Sequence, residues 1–200
     1  LWIMRADLDP VTASRIGGDK AVCGRCPHRG TAEPERNTGV ATGRACYVVL
    51  AQAPLSVWNS YKRGIYPKAR SVTDIVNLGR GRMVRNAAYG DGAAIPAWIT
   101  SALASEAVGQ TAYTHNGGDP ARYMTSVESE AGARAAWSRG ERTFRIVRNV
   151  ADIVRGAEIE CPSERGVRCA DCRLCGGAQV KARSIAIVAH GNGAKYVEVA

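Results

Sequence analysis

The chain has 200 residues, with 27 lysines and arginines against 18 acids and a formal charge of +9. That length suits one ordinary domain, which buries roughly 70% of its unfolded surface and needs no cross-links to hold a core. No apolar run approaches the ~18 residues of a membrane-spanning helix, and no basic-then-apolar leader opens the chain, so neither a membrane span nor export is expected.

The apolar segments are short and β-like, with helical patterns between several of them. Strands are predicted over 1–7 (LWIMRAD) and 45–52 (ACYVVLAQ). Val57, Tyr61 and Ile65 recur every four residues, which predicts a helix over 56–66. A third strand is predicted over 82–91 and a helix over 94–107, with Pro96 near its start, where proline is tolerated. Short strands follow over 110–115 and 122–129, then a helix over 128–140 that Gly140 can end. The last two strands are predicted over 142–148 and 183–191.

Alternating strands and helices imply a parallel α/β domain over 1–200, with a metal-binding insertion at about 158–180. A full eight-unit barrel uses about 250 residues, so the expected form is a partial or trimmed (β/α) barrel with cysteine-rich metal-binding loops. Asp7, Gln52, Asp91, His115, Glu128, Arg148 and His190 all fall near the carboxyl ends of predicted strands. Ligands bind at that edge of parallel α/β structures.

Seven cysteines form two groups: Cys23, Cys26 and Cys46, then Cys161, Cys169, Cys172 and Cys175. The count is odd and the spacing clustered, unlike a secreted disulfide framework, which points to a reducing, intracellular (cytoplasmic) setting and to metal. The second group supplies four sulfurs for a closed structural site. The first supplies three and leaves a position for His28, a water or a substrate. Thiolate ligands suit zinc or a [4Fe-4S] cluster. The spacing C-x2-C-x2-C, with proline after Cys161, matches iron–sulfur loops, whereas the charged flanks suit zinc. Both metals stay open at this point.

Asp91, between two glycines, is a candidate nucleophile or base, and equally a helix cap. His115 and His190 are candidates for proton transfer or metal binding, and Glu128 for a second carboxylate. Arg145 and Arg148 are candidate phosphate ligands. Lys62, Arg63, Lys68, Arg70, Arg80, Arg82 and Arg85 stand against one acid, Asp74, and form a candidate nucleic-acid-binding stretch. Tyr47, Tyr61, Tyr66, Tyr89 and Tyr113, with Trp58, interleave with this stretch and offer stacking faces.

The order CGRCP, CYV, AYGD, YTH, TSVES, TFRIV, CADCRLC, AHG resembles a group of small cysteine-rich proteins encoded by bacteriophages and mobile elements. The resemblance implies nucleic acid as partner. A looser similarity is to tRNA-guanine transglycosylases, which are β/α barrels with a zinc held by three cysteines and a histidine. It implies Cys169, Cys172, Cys175 and His190 as the zinc set, although that family spaces its cysteines C-x-C-x2-C. The leading expectation is a metal-binding protein that acts on nucleic acid by modifying a base or nucleotide. Two alternatives stand beside it. One is an iron–sulfur enzyme like the radical S-adenosylmethionine enzymes, whose C-x3-C-x2-C motif is absent. The other is a non-catalytic, zinc-stabilised nucleic-acid-binding module.

Overall fold

The computed structural model describes residues 1–197. Helices α1 (Pro10–Arg15) and α2 (Lys20–Cys23) open the chain, followed by a 3-10 turn at Pro27–Arg29. Next come α3 (Ala53–Lys62), α4 (Val72–Gly79), β1 (Met83–Arg85), α5 (Ala97–Ala104), β2 (Gly109–Thr111) and β3 (Tyr113–Thr114). The rest is β4 (Met124–Val127), α6 (Glu130–Ser138), β5 (Thr143–Val147), β6 (Glu158–Glu160), α7 (Cys169–Cys172) and β7 (Ser184–Val188).

The expected parallel α/β class is present. Every pairing between named strands is parallel, in a two-stranded sheet β1-β2 and a five-stranded sheet β3-β4-β5-β7-β6. Ala112 alone separates β2 from β3. Its N–H bonds the Cys175 carbonyl and its carbonyl takes the Met124 N–H, so the two sheets run on from each other. The order is sequential through β5, then β7 precedes β6, and no pairing among the described residues closes the sheet.

The strand pleat decides what faces where. Side chains alternate along a strand, and parallel register keeps paired residues on one face. Tyr113, Met124, Phe144, Ile185 and Ile159 share one face and pack together with Cys161, Leu174 and Cys175. Thr143, Arg145, Ser184, Ala186 and Glu158 share the other. That second face is buried yet polar. The Trp137 indole of α6 lies 3.0 Å from the Thr143 hydroxyl and 2.9 Å from that of Ser184.

Several sequence expectations are corrected. The segment 45–52 is a loop, because Arg44 Nη1 donates to the carbonyls of Cys46 (3.0 Å) and Val48 (2.7 Å) and removes them from any ladder. The strand over 1–7 reduces to a parallel bridge between Trp2 and Tyr89. Arg5 then folds onto Asp7, and Asp9 caps α1 by accepting from Val11 and Thr12. Helix α4 was not expected. Its signal is the capping box in SVTD, where the Ser71 hydroxyl accepts from Asp74 N and the Asp74 carboxylate from Ser71 N. Gly79 lets α4 lie against α5, since a Cβ there would stand 1.7 Å from the Leu103 carbonyl oxygen. The segment 158–180 is not wholly an insertion, because β6 forms the edge of the five-stranded sheet.

Arg145, a candidate phosphate ligand by sequence, is instead committed to the fold. Its guanidinium reaches across β7, over the small Ser184 and Ala186, and grips Glu158 at 2.9 and 2.6 Å. Glu158 also accepts from Val154 N, and Arg145 donates to the Asp152 carbonyl. Removing one partner of a buried pair leaves an uncompensated charge, at a cost of about 3 kcal/mol or more. We expect Glu158→Gln to lower the thermal midpoint by roughly 6–12 °C. Arg145→Leu combined with Glu158→Leu should melt higher than the single variant; equal or lower melting would show that the pair is not the cause.

Candidate metal centre and active-site cavity

A cavity of about 500 Å³ opens at the carboxyl edge of the five-stranded sheet. The same alternation that builds the core supplies its floor. Beyond Tyr113 comes His115; beyond Met124 come Ser126 and Glu128; beyond Phe144, Ile146; beyond Ile185, Ile187; and beyond Ile159, Cys161. The opposite wall is the loop region 19–48, which contributes Cys23, Cys26, His28, Arg44 and Cys46. The size falls within the range of small-molecule sites.

Four of the sequence-nominated residues converge here in different ways. Glu128 Oε1 lies 2.8 Å from His115 Nε2 and 3.5 Å from His28 Nε2. The two imidazoles meet edge to face, with centroids 5.6 Å apart. Among the described residues, these three bring their ligand atoms within 4.8 Å of one another. His28, one of three alternatives for the open position beside the first cysteine group, turns its ring to His115 and Glu128. His190 sits at the rim, half-exposed, with Nδ1–H donating to the Val188 carbonyl at 2.9 Å and its ring 6.1 Å from that of Tyr47.

Asp91 lines the cavity, but its carboxylate is fully engaged. It accepts from Ala93 N (2.9 Å), His115 N (2.8 Å) and Asn116 Nδ2 (2.8 Å), and the Thr114 hydroxyl stands at 2.7 Å. In these contacts the carboxylate serves as a clamp, and its bond from Ala93 N is the cap that the sequence offered. Asn116 extends the clamp by donating to the Cys23 carbonyl and accepting from Arg25 N. Gly24, at φ +57°, leaves room for it, because a Cβ would stand 2.2 Å from the Asn116 side-chain oxygen.

All seven cysteines are free thiols. Cys23, Cys26, Cys46, Cys161 and Cys169 line the cavity. Cys175 is buried in the core beside Cys161. Sulfurs around a tetrahedral zinc, bound at about 2.3 Å, stand roughly 3.8 Å apart. No three sulfurs come within 4.8 Å of one another among the described residues, so neither group is drawn in to the spacing of a zinc site, and His190 does not complete a set with Cys169, Cys172 and Cys175. Burial, with the nearby Asp19 charge, pushes the Cys23 thiol up to about 12; burial also raises Cys46 against the pull of Arg44, and raises Cys175 to about 11. Two buried donors of residues on the wall, Arg44 Nε and the Tyr89 hydroxyl, have no hydrogen-bond partner among the described residues. Tyr89 lies within the electrostatic reach of Cys23, Cys46 and Arg44. Unpartnered buried donors are costly, and an anionic thiolate-bound group beside them would satisfy them. The residues around Cys23 and Cys46 thus fit such a group.

The basic stretch divides. Arg85 lines the cavity and donates to the Tyr47 hydroxyl; Arg80 pairs with Glu106; Arg82 donates to the Leu78 carbonyl. Lys62, Arg63, Lys68 and Arg70 are exposed on and after the end of α3, with Tyr61 and Tyr66 among them. Arg148 donates to the Val197 carbonyl at 3.4 Å. Sequence reasoning missed Arg44 and Asn116, neither of which carries a motif, and offered Tyr89 only as a stacking face. No helix of the described residues is long and apolar enough to cross a membrane. No family model, curated sequence or solved structure matches this chain.

Two predictions follow from this geometry. Asp91→Asn turns an acceptor into a donor among donors. Leaving buried groups unsatisfied costs about 1–3 kcal/mol each, so the thermal midpoint should fall by several degrees. An unchanged midpoint would restore Asp91 as a free reactive carboxylate.

The second prediction concerns pH. Burial opposes the charge on His115, but Cys26 and Glu128 outweigh it and hold the imidazolium up to about 10. Burial likewise opposes the charge on Glu128, and His115 and His28 outweigh it, lowering the carboxyl to about 2. The His115 contribution is whole below its ordinary value of 6.5 and is lost as pH rises through about 10. The Glu128 contribution is whole above 4.5 and is lost as pH falls through about 2. The urea midpoint of metal-free protein should be level between those limits and fall on both sides. Glu128→Gln should make both limbs shallower; unchanged limbs would assign them to other groups.

Proposed function

We propose that this chain is a metal-dependent enzyme that modifies a base or nucleotide, with an iron–sulfur cluster on Cys23, Cys26 and Cys46 at one wall of the cavity. The observation that carries the reading is the convergence of these three thiols with His28, His115 and Glu128 on one cavity at the carboxyl edge of a parallel sheet. Three thiolates leave one coordination position of a four-iron cluster for a substrate. A cube of four irons also spreads its thiolates wider than a single zinc does, in keeping with sulfurs that do not crowd. In this reading the sheet is the wall of a partial (β/α) barrel, and Cys161, Cys169, Cys172 and Cys175 hold a second metal that braces the rim.

The mouth suits a nucleotide. Tyr47 and His190 offer stacking faces, and Arg85 offers charge to a phosphate. Outside the mouth, Lys62, Arg63, Lys68 and Arg70 form an exposed patch that attracts a polyanion.

The test is purification and reconstitution with iron and sulfide under anaerobic conditions. The expected product is brown, absorbs near about 400 nm, and loses that absorbance in Cys23→Ser, Cys26→Ser and Cys46→Ser. A colourless protein that holds zinc through the same thiols would overturn the reading in favour of a zinc-stabilised nucleic-acid-binding module.

A further inference from the structure

We propose that His28, His115 and Glu128 form a mononuclear site for a divalent first-row transition ion, separate from the metal assigned to the cysteines. Two histidines and one carboxylate on one side of an ion, with its remaining positions open, make the ligand set of mononuclear iron(II) and catalytic zinc centres.

The distances match an ion that has yet to be inserted. With bonds of about 2.0–2.1 Å, neighbouring ligand atoms stand roughly 2.9 Å apart around an octahedral ion and roughly 3.3 Å apart around a tetrahedral one. Glu128 Oε1 lies 2.8 Å from His115 Nε2 and 3.5 Å from His28 Nε2. The rings meet edge to face at an interplanar angle of 71°, and one nitrogen of each lies within 4.8 Å of the other and of the Glu128 carboxylate.

Each ligand is carried on backbone that is held independently of any ion. The His115 N–H is bonded by Asp91. Glu128 stands between β4 and the Ser129 cap of α6, whose hydroxyl accepts from Gly132 N. The His28 carbonyl accepts from Cys46 N at 3.0 Å, and the next residue, Arg29, is paired with the buried Asp19. Such support is what keeps metal ligands in place. All three side chains line the 500 Å³ cavity, so the open positions of the ion face the space a substrate would occupy. The Cys26 thiol stands beside His115 in the same cavity and acts on it first through a side-chain hydrogen bond, but it is not within the three-atom group.

Cobalt(II) is the probe, titrated anaerobically into the metal-free full chain. A nitrogen and oxygen site gives weak visible bands without the intense near-ultraviolet absorption of a cobalt–thiolate bond, so the two kinds of site report separately. We expect a phase of the first kind that saturates at one equivalent. His28→Gln is the leading variant, because among the described residues Glu128 is the one polar partner of the His28 side chain, so its loss should spare the fold; the circular dichroism melt checks this. Losing a direct ligand should weaken cobalt by more than about 100-fold, beyond the usual effect of a supporting residue. His115→Gln and Glu128→Gln should do the same, while Cys23→Ser and Cys46→Ser should leave this phase intact. The proposal is overturned if the phase is missing, if it survives His28→Gln, or if it carries thiolate absorption and disappears with Cys26→Ser. Failure of the iron–sulfur reconstitution with this cobalt phase intact would count against the cluster reading and leave this site standing.

Discussion

The Asp91 carboxylate ties together three pieces of chain. It accepts from the start of the turn after it, from the His115 backbone at the end of β3, and from the Asn116 amide, which in turn reaches the Cys23 carbonyl. Its own N–H bonds the Val22 carbonyl. A buried carboxylate must be compensated by donors, and here the donors come from the strand end while the loop bearing the first cysteines is drawn in with them. The cavity wall and the cavity floor are thereby held in register. Without that bond set, Cys23 and Cys26 would belong to a loop with no fixed relation to His115.

The floor is a consequence of pleat and parallel register. Five adjacent parallel strands present alternate residues to one side, and the residue two beyond each core position emerges at the carboxyl edge. Tyr113 leads to His115, Met124 to Ser126 and then Glu128, Ile159 to Cys161. Apolar residues deeper in each strand keep the site dry on its inner side, and chemically capable ones sit at the exits. The opposite face uses a different solution. It buries Arg145 and Glu158 over small residues on β7, and Arg142, whose guanidinium donates to the carbonyls of Leu174 and Gly177, pins the loop of the second cysteine group to the sheet.

Much of the frame was legible. Short apolar runs such as TFRIV and SIAIV identified β5 and β7, and the four-residue spacing and proline placement identified α3 and α5 to within a few residues. The nomination of His115 and Glu128 rested on their position after predicted strands, and they are in contact. The segment ACYVVLAQ misled because its apolar content is real, with Leu50 buried, while a side chain, Arg44, takes its carbonyls. Arg145 misled because an arginine inside a strand reads as a surface ligand when its partner lies thirteen residues away on a strand that is not its neighbour.

The residue order by itself determined the parallel α/β class, the clustering of thiols, and which polar residues lie at strand exits. Those features follow from local periodicity and from spacing along the chain, which act over a few residues. Only the tertiary structure decided that His28 turns to His115 and Glu128, that the Asp91 carboxylate clamps the His115 backbone, and that Arg44 Nε and the Tyr89 hydroxyl are buried without a partner among the described residues. Each of those outcomes depends on which buried polar groups find partners across tens of residues. Hydrogen-bond satisfaction in a closed interior is a property of the whole packing, and no window of sequence contains it.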